Sequence, residues 1–139
     1  MTERRDRILM VDDDADFLQS NRDLLEACGY EVETAANGER GLKLARESRP
    51  DLMILDVMMT TDTEGFEVAR RIPETPELRG LPVLLVTGVH KALGIDRRLE
   101  PDATWLPVER VLEKPIDPMR LLTEVERILN AHRSKGEHE

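Results

Sequence analysis

Four polar stations follow apolar runs in this chain, and their side chains suit phosphoryl chemistry. Asp12, Asp13 and Asp14 follow residues 8–11, Asp56 follows 52–55, Thr87 follows 82–86, and Lys114 follows 110–113. A carboxylate can attack phosphorus, while an ammonium and a metal ion neutralise the oxygens of the group in transit. Asp56 stands alone at the end of its run, so one oxygen can hold a metal while the other attacks. Thr87 adds a hydroxyl donor, and Lys114 adds one fixed positive charge.

If Asp12, Asp13 and Asp56 share one small space, their repulsion needs relief. Two like charges about 4 Å apart repel by about 4 kcal/mol at an effective dielectric of about 20. Three such pairs consume most of the margin of a domain stable by about 5–15 kcal/mol. A cation or a proton must enter. Oxygen donors with room for water favour magnesium or manganese over zinc. His90, His132 and His138 show no zinc-ligand spacing with these acids. Asp14 reads as a helix N-cap rather than a ligand.

The elements that must position these groups alternate along the chain. Residues 8–11 are apolar without alternation, as in a strand covered on both faces. Helical spacing follows over about 15–28 and stops at Gly29. Residues 30–35 alternate with period two and read as an edge strand, and Asn37-Gly38 turns the chain. A helix over about 39–48 leads to the strand at 52–55, and a short helix at 65–72 is expected to stop at Pro73. The fourth and fifth strands are 82–86 and 110–113. Gly94, Pro101 and Pro107 limit the stretch 89–107 to one short helix and loop. A last helix runs from about 118 to 131, and the polar residues after it read as a frayed tail.

Five strands alternating with helices predict an α/β fold, a three-layer doubly wound parallel sheet. Ligands of such sheets collect beyond the carboxyl ends of the strands, where the strand order reverses. In the flavodoxin-like order 2-1-3-4-5 that point lies between the first and third strands. The expected boundaries are an extension at 1–6, one domain at 7–131 and a polar tail at 132–139, with no output domain after it.

Composition narrows the function. With 20 basic and 29 acidic residues the formal net charge is −9, the wrong sign for a nonspecific nucleic-acid binder. No run approaches the ~18 apolar residues of a membrane span. Four aromatics (Phe17, Tyr30, Phe66 and Trp105) leave an aliphatic core and no base-stacking surface. Cys28, the one cysteine, can form no internal disulfide and reads as a small buried residue at a helix end. The start of the chain lacks a signal-peptide pattern, and the expected location is the cytoplasm.

The stations Val11-Asp12-Asp13, Ile54-Leu55-Asp56-Val57-Met58-Met59, Val86-Thr87-Gly88 and Glu113-Lys114-Pro115 together resemble the receiver domain of two-component response regulators. Each alone is a weak signal; their order at successive strand ends is specific. The resemblance implies a phosphorylation-dependent signalling switch, not an enzyme beyond self-catalysed phosphoryl transfer and hydrolysis. It makes Asp56 the phosphoacceptor, fed by a sensor histidine kinase or a phosphotransfer protein. It assigns Mg2+ (or Mn2+) to Asp12, Asp13, Asp56 and the backbone carbonyl of Met58. Thr87 and Lys114 would bind phosphoryl oxygens, Gly88 would leave room for them, and a cis Lys114-Pro115 bond is in keeping with the family. The chain would act as a monomer or weak dimer on a downstream protein, with no direct contact to nucleic acid or membrane.

Several positions depart from the pattern. Thr60 replaces a proline, the loop before Gly65 and the stretch between Thr87 and Lys114 are long, and Val111 stands where an aromatic switch is usual. The signal is therefore expected to travel through the segment between the fourth strand and the last helix. Two other readings compete. One is a degenerate receiver that binds partners without phosphorylation. The other is a hydrolase of the haloacid dehalogenase type with Asp12 as nucleophile, opposed by Asp16 where that motif needs Thr or Val.

Overall fold

The computed structural model describes residues 6–57, 64–88 and 108–137, the last five of these in backbone only. The elements are β1 (Arg7–Val11), α1 (Ala15–Ala27), β2 (Glu31–Ala35), α2 (Gly38–Ser48), β3 (Leu52–Asp56), α3 (Glu64–Glu74), a 3-10 turn at Pro76–Leu78, β4 (Val83–Thr87), β5 (Arg110–Glu113) and α4 (Pro118–Glu137). The strands form one parallel sheet in the order β2-β1-β3-β4-β5. The flavodoxin-like order and the edge position of β2 are thus as the sequence predicted.

Strand periodicity explains the layers. Leu9 and Val11 of β1 join Met53 and Leu55 of β3 in a core with Leu42 and Ala45 of α2 and Phe66, Ala69 and Ile72 of α3. Ile8 and Met10, one residue out of phase, join Ile54 and Val86 under Leu25 of α1 and Leu121, Val125 and Ile128 of α4. Every residue of β3 and β4 is buried. Each fully buried leucine or isoleucine is worth about 1.5–3 kcal/mol, so both cores hold the carboxyl edge of the sheet in place.

Local chemistry sets the helix starts. The Asp14 side chain accepts from the backbone N–H groups of Asp16 (3.0 Å) and Phe17 (3.1 Å), which makes it the N-cap of α1. Asn37 caps α2 in the same way through Arg40 N–H.

Three expectations need correction. Helix α3 passes through Pro73 and ends at Glu74. Proline sits in the last turn, where one missing N–H is tolerated, and Thr75 N–H still reaches the carbonyls of Arg71 and Ile72. Cys28 is exposed, not buried. It is the C-cap of α1, and Leu25 takes the core position of that turn at 0% exposure. Helix α4 continues to Glu137, past the expected end near 131 and into the tail expected to fray from 134. The apolar spacing ends at Leu129, so the pattern marked the end of the packed face and not the end of the helical backbone. The expectation for 89–107, and with it Trp105 and His90, lies outside the described residues. Among the described residues no helix is long and apolar enough to cross a membrane.

Candidate functional site

The sheet order brings the ends of β1 and β3 side by side. Val11 pairs with Leu55, so Asp12 and Asp56 are the next residues of neighbouring strands. Asp12 N–H donates to the Ala35 carbonyl at 3.0 Å, extending the ladder to β2 by one bond and fixing where the acidic run begins. Asp12 is 2% exposed and Asp56 5%, while Asp13 is exposed. Asp12, Asp13 and Asp56 each offer a carboxylate oxygen, and the three oxygens lie within 4.8 Å of one another. Asp14 is not part of this group; it serves the helix cap.

Lys114 faces these acids from the end of β5. Its Nζ donates to Asp12 Oδ2 at 2.8 Å and lies 3.7 Å from Asp56 Oδ2. Its own N–H donates to the Thr87 carbonyl at 2.9 Å, which ties the lysine to the end of β4, and its peptide bond to Pro115 is cis. Partial burial would push its pKa down, but the Asp12 hydrogen bond and the charges of Asp12, Asp56 and Asp14 outweigh that and raise it above 10.5. The lysine therefore stays an ammonium at physiological pH.

Thr87 ends β4 at 2% exposure, one position beyond Val86, the partner of Asp56. A Cβ built on Gly88 would meet nothing within 4 Å among the described residues, so space lies open beside Thr87. Met58 lies outside the described residues. Val111 is half-buried in β5 and packs against the α2/α3 core, so no aromatic stands at that position.

Three carboxylates face one ammonium, an excess of negative charge in a mostly buried site. Hard oxygen donors in that excess suit a small divalent cation better than a soft metal. Asp12 is a poor nucleophile here. Its Oδ2 binds Lys114, and its Oδ1 accepts Asp14 N–H at 2.9 Å.

Two residues of the site escaped the sequence reading. Gly65, in the first turn of α3, lies directly behind Asp56, and its N–H donates to the Val57 carbonyl at 2.9 Å. A Cβ there would stand 2.1 Å from the Asp56 carbonyl oxygen and 2.5 Å from Val57 Cα. A glycine opening a helix just after a strand-end aspartate was the available signal. The second is Phe17, noted above only as one of four aromatics. Its ring lies under the Lys114 ammonium, 4.4 Å from Nζ to the ring centroid. No spacing rule links residues 17 and 114.

These features define a doubly wound α/β domain with an acidic pocket at its topological switch point. Residues 8–126 match the family model for the response regulator receiver domain. The chain belongs to that family, whose members are signalling modules of two-component systems. It is 33% identical over 122 residues to the polar-differentiation response regulator DivK of Brucella anthropi, covering 88% of this chain and 94% of DivK. It is 40% identical over 111 residues to the transcriptional regulatory protein AfsQ1 of Streptomyces coelicolor, covering 79% of this chain but 47% of AfsQ1. The chain thus spans about half the length of that relative. The chemotaxis response regulator CheY4 of Vibrio cholerae superposes with a TM-score of 0.72 at 30% identity, covering 90% of this chain and 99% of that structure.

Proposed function

We propose that this receiver takes a phosphoryl group onto Asp56 from the phosphohistidine of a sensor histidine kinase or a phosphotransfer protein. An Asp56 oxygen forms the bond to phosphorus, the P–N bond of the donor breaks, and the imidazole nitrogen keeps the electron pair. One observation carries the reading. Asp12, Asp13 and Asp56 converge at the carboxyl edge of the sheet, opposite an ammonium already within 3.7 Å of Asp56.

Asp12, Asp13 and Asp56 would hold Mg2+, joined by the Met58 carbonyl that the family resemblance adds. When bound there, the ion supplies charge neutralisation for the oxygens of the transferring group. Lys114 supplies a second positive charge at the same place, and the Thr87 hydroxyl supplies a donor. Gly88 leaves the space that the new group fills. The signal then passes through the segment between β4 and α4 to a downstream protein.

The decisive experiment is incubation with acetyl phosphate and magnesium followed by intact mass. The wild type should gain one phosphoryl group, and Asp56→Asn should gain none. Equal labelling of both proteins would refute the assignment. Labelling lost in Asp12→Asn but kept in Asp56→Asn would favour the hydrolase-type nucleophile instead.

A further inference from the structure

We propose that Phe17 is a positioning residue for phosphoryl acceptance, its ring holding the Lys114 ammonium beside Asp56 while the carboxylate there becomes an acyl phosphate. The inference rests on Asp56 being the phosphoacceptor and adds a residue to that site. Among the described residues Lys114 Nζ contacts three groups in the pocket: Asp12 Oδ2 at 2.8 Å, Asp56 Oδ2 at 3.7 Å, and the Phe17 ring face at 4.4 Å. That last distance is well inside the ~6 Å range of a cation–π contact.

The three neighbours respond differently to the reaction. Phosphoryl transfer removes the Asp56 carboxylate charge and places new charge on oxygens further out. The partner that Lys114 has at Asp56 therefore changes during the step. The quadrupole of the ring does not change. Asp12 keeps its charge but would share it with a metal ion, whereas the Phe17 ring attracts the ammonium equally before and after transfer. It also draws on no oxygen that the chemistry uses.

The ring is built into the same run as the acids. Asp12 Oδ1 accepts Asp14 N–H, and Asp14 Oδ1 accepts Phe17 N–H. The Phe17 carbonyl accepts from Asn21 Nδ2 at 2.9 Å, and the side chain packs, partly buried, against the α1/α4 core. The acidic turn and the first turn of α1 thus fix the carboxylate and the aromatic face together.

The probe is acetyl phosphate. An Asp56 oxygen forms the bond to phosphorus, the bond from phosphorus to the acetate oxygen breaks, and acetate leaves with the electron pair. Phosphorylation rates are compared for wild type, Phe17→Leu, Phe17→Tyr and a chain with pentafluorophenylalanine placed at position 17. Leucine keeps an apolar side chain without a ring, tyrosine keeps the ring face, and fluorination keeps the shape while removing its negative face. Phe17→Leu and the fluorinated chain should react about two- to fivefold more slowly, the factor for a partly exposed cation–π contact, with Phe17→Tyr near wild type. Should Phe17→Leu misfold, the fluorinated ring still gives the comparison. A fluorinated chain that reacts at the wild-type rate overturns the inference. Equal losses in all three variants, tyrosine included, also overturn it, because they show a packing role. A wild type that takes no phosphoryl group fells the Asp56 assignment and this inference with it, whereas normal labelling with no ring dependence fells this inference alone.

Discussion

Replacing Gly65 with alanine puts a methyl group into the backbone of the acceptor strand. The new Cβ would meet the Asp56 carbonyl oxygen at 2.1 Å, Val57 Cα at 2.5 Å and the Asp56 carbonyl carbon at 2.8 Å. All three are main-chain atoms, so no rotamer change relieves the clash. Ordinary contact begins at 3.4 Å, so α3 or the end of β3 must retreat by roughly 1.3 Å. Overpacking of this kind costs about 1–3 kcal/mol. Alanine regains at most about 1 kcal/mol of helix propensity. With the full regain, net destabilisation of up to about 2 kcal/mol follows, readable as a lower urea midpoint with an unchanged slope. The displaced group is Asp56 itself, and an ångström of misplacement is worth about 100-fold in rate. Acetyl phosphate labelling should therefore slow far more than the stability loss alone implies. Arg70→Ala, on the exposed side of the same helix, is the control and should stay within about 0.5 kcal/mol of wild type. A Gly65→Ala protein more stable than wild type and labelled at the same rate would show that the close approach of α3 does not govern the site.

Asp14→Ala removes the N-cap of α1 and should lower stability by about 1 kcal/mol in urea titration, while Asp14→Asn should recover most of it. Asp12→Asn should weaken Mg2+ binding by about 10-fold or more in calorimetry, and unchanged affinity would remove Asp12 from the metal set. In metal-free protein the raised pKa of Lys114 gives a stabilisation that is complete below about pH 10.5 and lost as pH climbs through the folded-state value. The stability difference between wild type and Lys114→Met should accordingly move against wild type above that pH, and a flat difference would contradict the ion pairing. Phosphorylation should change amide exchange across residues 89–110, and an unaltered exchange pattern there would mean that the signal leaves by another face.

Much of this molecule was readable along the chain because it is encoded locally. Unbroken apolar runs at 8–11 and 52–55, short and bounded by polar residues, read as strands covered on both faces, and the polar residue after each run marks a carboxyl end. Asp14 as a cap follows from its place before a helical pattern. Burial within a local element was harder to read. Cys28 turned outward because Leu25 already filled the core position of that turn, and Pro73 was tolerated because it fell in a last turn. Both outcomes depend on neighbours that a period cannot name.

Lateral order is a different kind of information. Nothing in residues 8–11 states that their strand lies between β2 and β3, yet that placement alone makes Asp12 and Asp56 neighbours. The alternation of strands and helices suggested the flavodoxin-like order as a fold type, and packing of two helix layers on a twisted sheet enforces it. The 2.8 Å bond between Lys114 and Asp12 joins residues 102 positions apart, and the ring of Phe17 under the same ammonium spans nearly as many. The chain thus specified which chemical groups stand at its strand ends. Folding decided which of them meet, because contacts between distant segments are set by how whole faces bury against one another, not by the spacing of residues within any one of them.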